Sequence, residues 1–144
     1  VIENDTVRLL RENDAGIKMG ISAIDDVRDS VRCETFRKKL DECRAEHKTL
    51  EREIEDLLDE YHDDGKEPNM MAKSMSRIKT EFKLGLDTSD ETIADLMTDG
   101  CNMGVKSLGK YLNKYKAADE KSKDLTKRLI NLEERFAVDI RQYL

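Results

Sequence analysis

An unbroken helical stripe in segment 34–61 is the feature that most constrains how this chain of 144 residues can fold. Its members recur every three or four positions: Phe36, Leu40, Cys43, His47, Leu50, Ile54, Leu57 and Tyr61. Residues at that spacing share one face of an α-helix, and strict alternation of the two steps is typical of a helix packed in a left-handed bundle. The segment therefore predicts a long helix with Cys43 and His47 on its inner face.

Three further segments carry apolar residues at helical spacing. They run from about residue 4 to 32, from about 88 to 115, and from about 120 to the end of the sequence. Asn4 or Asp5 is the expected N-cap of the first helix, and Thr88 with Glu91 fits a capping box that would start the third. We therefore expect one all-α domain over residues 1–144, folded as an antiparallel four-helix bundle.

The connection between the second and third long helices has an apolar stripe of its own over residues 70–86. Its members are Met71, Met75, Ile78, Phe82 and Leu86. A helix of this length, with its flanking loops, can travel the length of the bundle. The expected element is a short crossover helix; the alternative, which the capping box disfavours, is the first half of one long kinked helix.

Two helical hairpins joined by one crossover form the ferritin-like arrangement. Within the second helix, the segment 44–50 (RAEHKTL) resembles the ligand-bearing helix of rubrerythrin and ferritin relatives. With the segments 14–16 (DAG) and 99–102 (DGCN), the chain resembles a group of small bacterial ferritin-like proteins of unknown function over nearly its full length. The resemblance implies a ferritin-like bundle.

The resemblance also implies where a metal would bind. Metal-binding members carry a Glu on each of two helices and a Glu-x-x-His on each of the other two. Here Arg44 stands three residues before His47, and Phe136 stands three residues after Glu133. This incomplete pattern argues against di-iron oxidase chemistry. The remaining candidate ligands, for Fe or Mn, are His47, Asp14, Glu51 and Glu133. The other interpretation of His47 is a neutral core histidine that donates to a buried carboxylate or carbonyl.

Two glycine pairs lie at the level of His47: Gly16 with Gly20, and Gly100 with Gly104. Each mid-helix glycine costs up to about 1 kcal/mol relative to Ala, so another feature should offset that cost. We expect close backbone packing there, or filling by large side chains such as Met19, Met103 and Phe136. The alternative is a pocket at the bundle waist; an apolar cavity of a few hundred Å³ or more would favour a small-molecule carrier.

Charge and composition limit which classes of partner, cellular location and chemistry the sequence allows. The net charge is −6 with Lys and Arg interspersed among acids, which disfavours nucleic-acid binding. No apolar run reaches the roughly 20 residues of a membrane span. Three cysteines without regular spacing and no secretory signal pattern at the start indicate a reducing cytoplasm. The sequence also lacks a phosphate-binding Gly-rich loop and a nucleophile elbow.

These observations predict a non-catalytic ferritin-like bundle that acts as a structural or protein-interaction module. The alternative is a metal-binding or oxidative-stress protein with a non-standard site near His47. We expect a homodimer or another homo-oligomer. The tyrosines near helix ends are candidates for that contact, or else they close the ends of the bundle: Tyr61, Tyr111, Tyr115 and Tyr143.

Overall fold

The computed structural model describes residues 2–63, 65 and 88–144, with side chains from Asn4 onward. These residues form four long α-helices, two short 3-10 helices and no strand. The long helices are α1 (Ile2–Val27), α2 (Glu34–Glu60), α3 (Asp90–Lys114) and α4 (Glu120–Ile140). The 3-10 helices are Arg28–Ser30 and Arg141–Tyr143. The prediction of an all-helical fold with four long helices is confirmed, and the predicted helix over 70–86 lies outside the described residues.

The start of α3 differs from the predicted capping box. Ser89 is the N-cap, because its hydroxyl accepts from the backbone N–H of Thr92 at 3.2 Å. The prediction that Thr88 and Glu91 form the box was therefore wrong by one residue. Serine at this position satisfies one of the N–H groups that the first turn of a helix leaves without a partner.

The predicted N-cap of α1 was also wrong, because α1 already includes Asn4 and Asp5. The Asp5 carboxylate instead accepts from the backbone N–H of Ala117 at 3.0 Å, and the Thr6 hydroxyl accepts from that of Asp119 at 2.9 Å. Both bonds tie the start of α1 to the connection between α3 and α4.

One continuous apolar core runs between the four helices, and α2 supplies a whole face of it. All members of the predicted α2 stripe up to Leu57 are buried, and Tyr61 is half-buried. The helices pack most extensively in the pairs α1–α2 and α3–α4, and the contacts of α2 with α4 and of α1 with α3 close the bundle. None of the described helices is both long and apolar enough to cross a lipid bilayer.

Stacked rings and a shared carboxylate close one end of the bundle. Tyr143 stacks on the buried Phe36, with centroids 4.5 Å apart and planes 4° apart. The Asp90 carboxylate accepts from the backbone N–H groups of Arg32 and Cys33 at 2.8 and 2.9 Å, and so joins α3 to the α1–α2 connection. For Tyr143, the structure favours the interpretation that it closes an end of the bundle.

Candidate functional site

His47 lies in the core midway along α2, with 2 % of its surface exposed. Its Nδ1 is 2.8 Å from the carbonyl oxygen of Cys43, one turn earlier, and its Nε2 is 2.8 Å from Oε1 of Glu133 on α4. A carbonyl oxygen only accepts hydrogen bonds, so Nδ1 carries a proton and donates. Both ring nitrogens are thus engaged within the chain, as expected of a core histidine.

The surroundings of His47 favour its protonated form. Burial lowers its pKa, but the hydrogen bonds to the Cys43 thiol and to Glu133, together with the negative charge of Glu133, outweigh burial, so the pKa stands well above its ordinary value. These contacts favour the protonated ring, in which both nitrogens would donate, one to the Cys43 carbonyl and one to Glu133. A protonated imidazole has no lone pair to offer a metal ion.

Two thiols lie beside this pair. Cys43 Sγ is 3.5 Å from His47 Nδ1, and Cys43 and Cys101 are both buried. Burial raises the pKa of each thiol, and the charge of Glu133 raises that of Cys101 further. Both are therefore neutral thiols at physiological pH, without the thiolate character of a nucleophile.

The structure brings together two of the four predicted metal ligands, His47 and Glu133. Asp14 is buried and accepts from Lys18 at 2.8 Å, and Glu51 accepts from Lys48 at 3.2 Å. Both acids act on Glu55 instead: burial raises the pKa of Glu55, and the charges of Glu51 and Asp14 raise it further.

The residues present do not fit the di-iron centre that the ferritin-like resemblance implies. The Arg44 side chain turns away from the core and donates to Asp25 at 2.7 Å, and Phe136 is a buried core residue. Within residues 4–63 and 88–144, no group of three or more His, Cys, Asp or Glu side chains is arranged to hold a metal ion.

A cleft of about 100 Å³ opens at the level of His47, and we name it the waist cleft. Its walls come from α1 (Gly16, Met19, Gly20, Ala23 and Ile24) and α3 (Leu96, Met97, Gly100, Met103, Gly104 and Leu108), and its floor from α2 and α4 (Cys43, His47, Leu129, Glu133 and Phe136). Met19, Met103 and Phe136, which were expected to fill this space if it was not a pocket, line the cleft, and Met103 is 44 % exposed. The volume is also below the few hundred Å³ of a cavity for a drug-sized ligand.

The waist glycines differ in what surrounds them. A Cβ added at Gly16 or Gly100 would meet no atom within 4 Å, whereas one at Gly20 would lie 2.9 Å from His47 Nε2. At Gly104 the added Cβ would make ordinary contact with Glu133, at 3.7 Å. Gly20 is therefore required by the position of His47, while Gly16 and Gly100 leave open space in the cleft.

Sequence reasoning missed a second polar pair, at the far end of the cleft. Tyr111 is hydrogen-bonded to Glu12, and burial together with that carboxylate raises the tyrosine pKa to about 12. The positions carry a signal: Glu12 lies four residues before Gly16 and Tyr111 seven residues after Gly104, so each shares a helix face with its glycine pair.

Comparison of the chain with family models, with curated proteins and with solved structures gave no match. The function is therefore inferred from the side chains at the bundle waist and their geometry.

Proposed function

We propose that this protein is a non-catalytic binding module built on a ferritin-like bundle, with the waist cleft as its binding site. One observation carries the proposal: both ring nitrogens of His47 are engaged by Cys43 and Glu133, so the residue on which metal chemistry depends is part of the core. The same pair forms the polar floor of a cleft whose walls are apolar and glycine-lined.

The order of the contacts along the helices supports the ferritin-like arrangement. Ion pairs of α1 with α2 and the residues just after it run in opposite directions along the two segments, since Asp25 pairs with Arg44 and Arg11 with Asp63. Contacts of α1 with α3 and the residues just after it do the same: Asp5 lies beside Ala117, and Glu12 beside Tyr111. If α1 is antiparallel to both, then α2 and α3 are parallel. The proposed crossover helix over residues 70–86 would join them.

The proposal requires that His47 does not hold a metal ion, and the metal content of the protein tests this requirement. The full-length protein is incubated separately with Fe(II), Mn(II) and Zn(II) and desalted, and its metal content is measured by mass spectrometry. His47→Ala is compared with His62→Ala, because His62 is the other histidine of the chain and is exposed.

We expect no stoichiometric metal in the wild type or in either variant. Stoichiometric metal in the wild type and in His62→Ala, but not in His47→Ala, would overturn the proposal and make His47 a metal ligand. Self-association stays a prediction, and light scattering of the full-length protein after size exclusion measures it directly.

A further inference from the structure

The walls of the waist cleft are rich in methionine. Three of the six methionines of the chain line it: Met19, Met97 and Met103. The thioether is flexible and polarizable, adapts to the shape of a bound molecule, and makes favourable contacts with aromatic rings. Phe136 adds an aromatic surface at the floor. This lining favours an apolar and specifically an aromatic occupant.

The polar groups of the cleft disfavour a charged occupant. The His47 imidazole pairs with Glu133, and Tyr111 is hydrogen-bonded to Glu12. A charged ligand would lose its hydration on entering the cleft and would find these side chains already paired with one another. Asp99, which is exposed and also lines the cleft, further disfavours anions. The occupant is therefore neutral.

The size and shape of the waist cleft further limit which molecules it can hold. The cleft holds about 100 Å³. An engineered closed cavity of about 150 Å³ in another protein binds benzene, so this smaller but open cleft limits the occupant to a single ring. Gly16 and Gly100 present bare backbone with no atom within 4 Å of an added Cβ, so the walls there can lie close against a flat molecule.

We propose that the waist cleft binds small neutral aromatic molecules of the size of a single ring. This inference rests on the proposed function, because it takes the waist cleft as the binding site of a non-catalytic module. It adds the chemical class of the ligand, which the fold alone does not specify.

Phenol and cyclohexanol are the probes, because they share a ring size and a hydroxyl group and differ in aromaticity. Isothermal titration calorimetry measures both with the full-length wild type, Gly100→Leu and Gly109→Leu. Gly109 is the matched control: it lies on the same helix, an added Cβ there also meets nothing within 4 Å, and it does not line the cleft. Gly16→Leu fills the opposite wall and replaces Gly100→Leu if circular dichroism shows that the latter does not fold.

We expect saturable one-to-one phenol binding to the wild type. The Kd for Gly109→Leu should stay within about twofold of the wild-type value, and the Kd for Gly100→Leu should be higher by about tenfold or more. Absence of phenol binding to the wild type, or unchanged binding to a folded cleft-filling variant, would overturn the inference. Cyclohexanol that binds as tightly as phenol would overturn its aromatic class. These results are independent of the metal measurement: metal retained through His47 contradicts the proposed function, whereas a metal-free protein that ignores phenol contradicts this inference alone.

Discussion

Two glycines one turn apart on α1 should respond to alanine with opposite signs. In a helix interior, replacing Gly by Ala stabilises by roughly 0.5–1 kcal/mol, because Gly loses more conformational freedom on folding. At Gly16 nothing within 4 Å opposes the new Cβ, so Gly16→Ala should gain that amount. At Gly20 the same gain is opposed by the His47 ring, with Nε2 at 2.9 Å and Cδ2 at 3.0 Å from the Cβ.

The cost at Gly20 follows from how His47 is held. Hydrogen bonds of 2.8 Å hold the ring at both nitrogens, so it cannot move by several tenths of an ångström without weakening a bond to Cys43 or Glu133. A hydrogen bond to a charged group contributes about 1.5–3 kcal/mol. Subtracting the helical gain, we expect Gly20→Ala to lower the free energy of unfolding by about 1–2 kcal/mol.

Urea unfolding followed by circular dichroism at pH 6.5 measures both variants against the wild type. The His47→Ala background is the internal control. Without the imidazole, Gly20→Ala should stabilise that background by about the amount that Gly16→Ala gives the wild type, which makes a double-mutant cycle between positions 20 and 47. If Gly20→Ala stabilises the wild type as much as Gly16→Ala does, the contact between Gly20 and His47 is refuted.

Three further predictions concern the charge state of the core and the start of α2. Because the pKa of His47 is raised on folding, its contribution to stability is complete below the unfolded value of about 6.5 and is lost as pH rises toward the folded value. Urea unfolding from pH 6.5 to 8 should therefore show the free energy of unfolding falling by up to about 1.4 kcal/mol per pH unit. The variant His47→Gln should remove that slope. Cys33 is a half-exposed N-cap, and hydrogen bonds from a neighbouring hydroxyl and from backbone N–H groups lower its pKa. It should therefore react with iodoacetamide faster than the buried Cys43 and Cys101. Peptide mass spectrometry of timed samples measures the three rates, and equal rates would contradict this prediction. Asp90→Ala should cost roughly 1–3 kcal/mol in thermal unfolding, because two backbone N–H groups lose their acceptor, and an unchanged midpoint would show that water replaces it.

Much of the candidate site could not be predicted from the sequence. The pairing of His47 with Glu133 joins residues 86 positions apart on different helices. It depends on how α2 and α4 are rotated and shifted against each other, which helical periodicity does not specify. Asp14 and Glu51 satisfied the same residue-type argument as Glu133, yet each pairs with a lysine one turn away on its own helix, and only the tertiary structure shows that neither reaches His47 as Glu133 does.

The sequence by itself determined the four long helices and the buried face of α2, since both follow from local spacing: the α2 stripe from Phe36 to Leu57 is buried throughout. It also indicated a structural role for the waist, because four mid-helix glycines carry a cost that packing must offset. The tertiary structure decided the role of each glycine. Gly20 makes room for an imidazole, whereas Gly16 leaves a cleft open, and the two are indistinguishable in sequence. The difference arises from atoms on other helices, whose positions are set by the packing of the whole bundle.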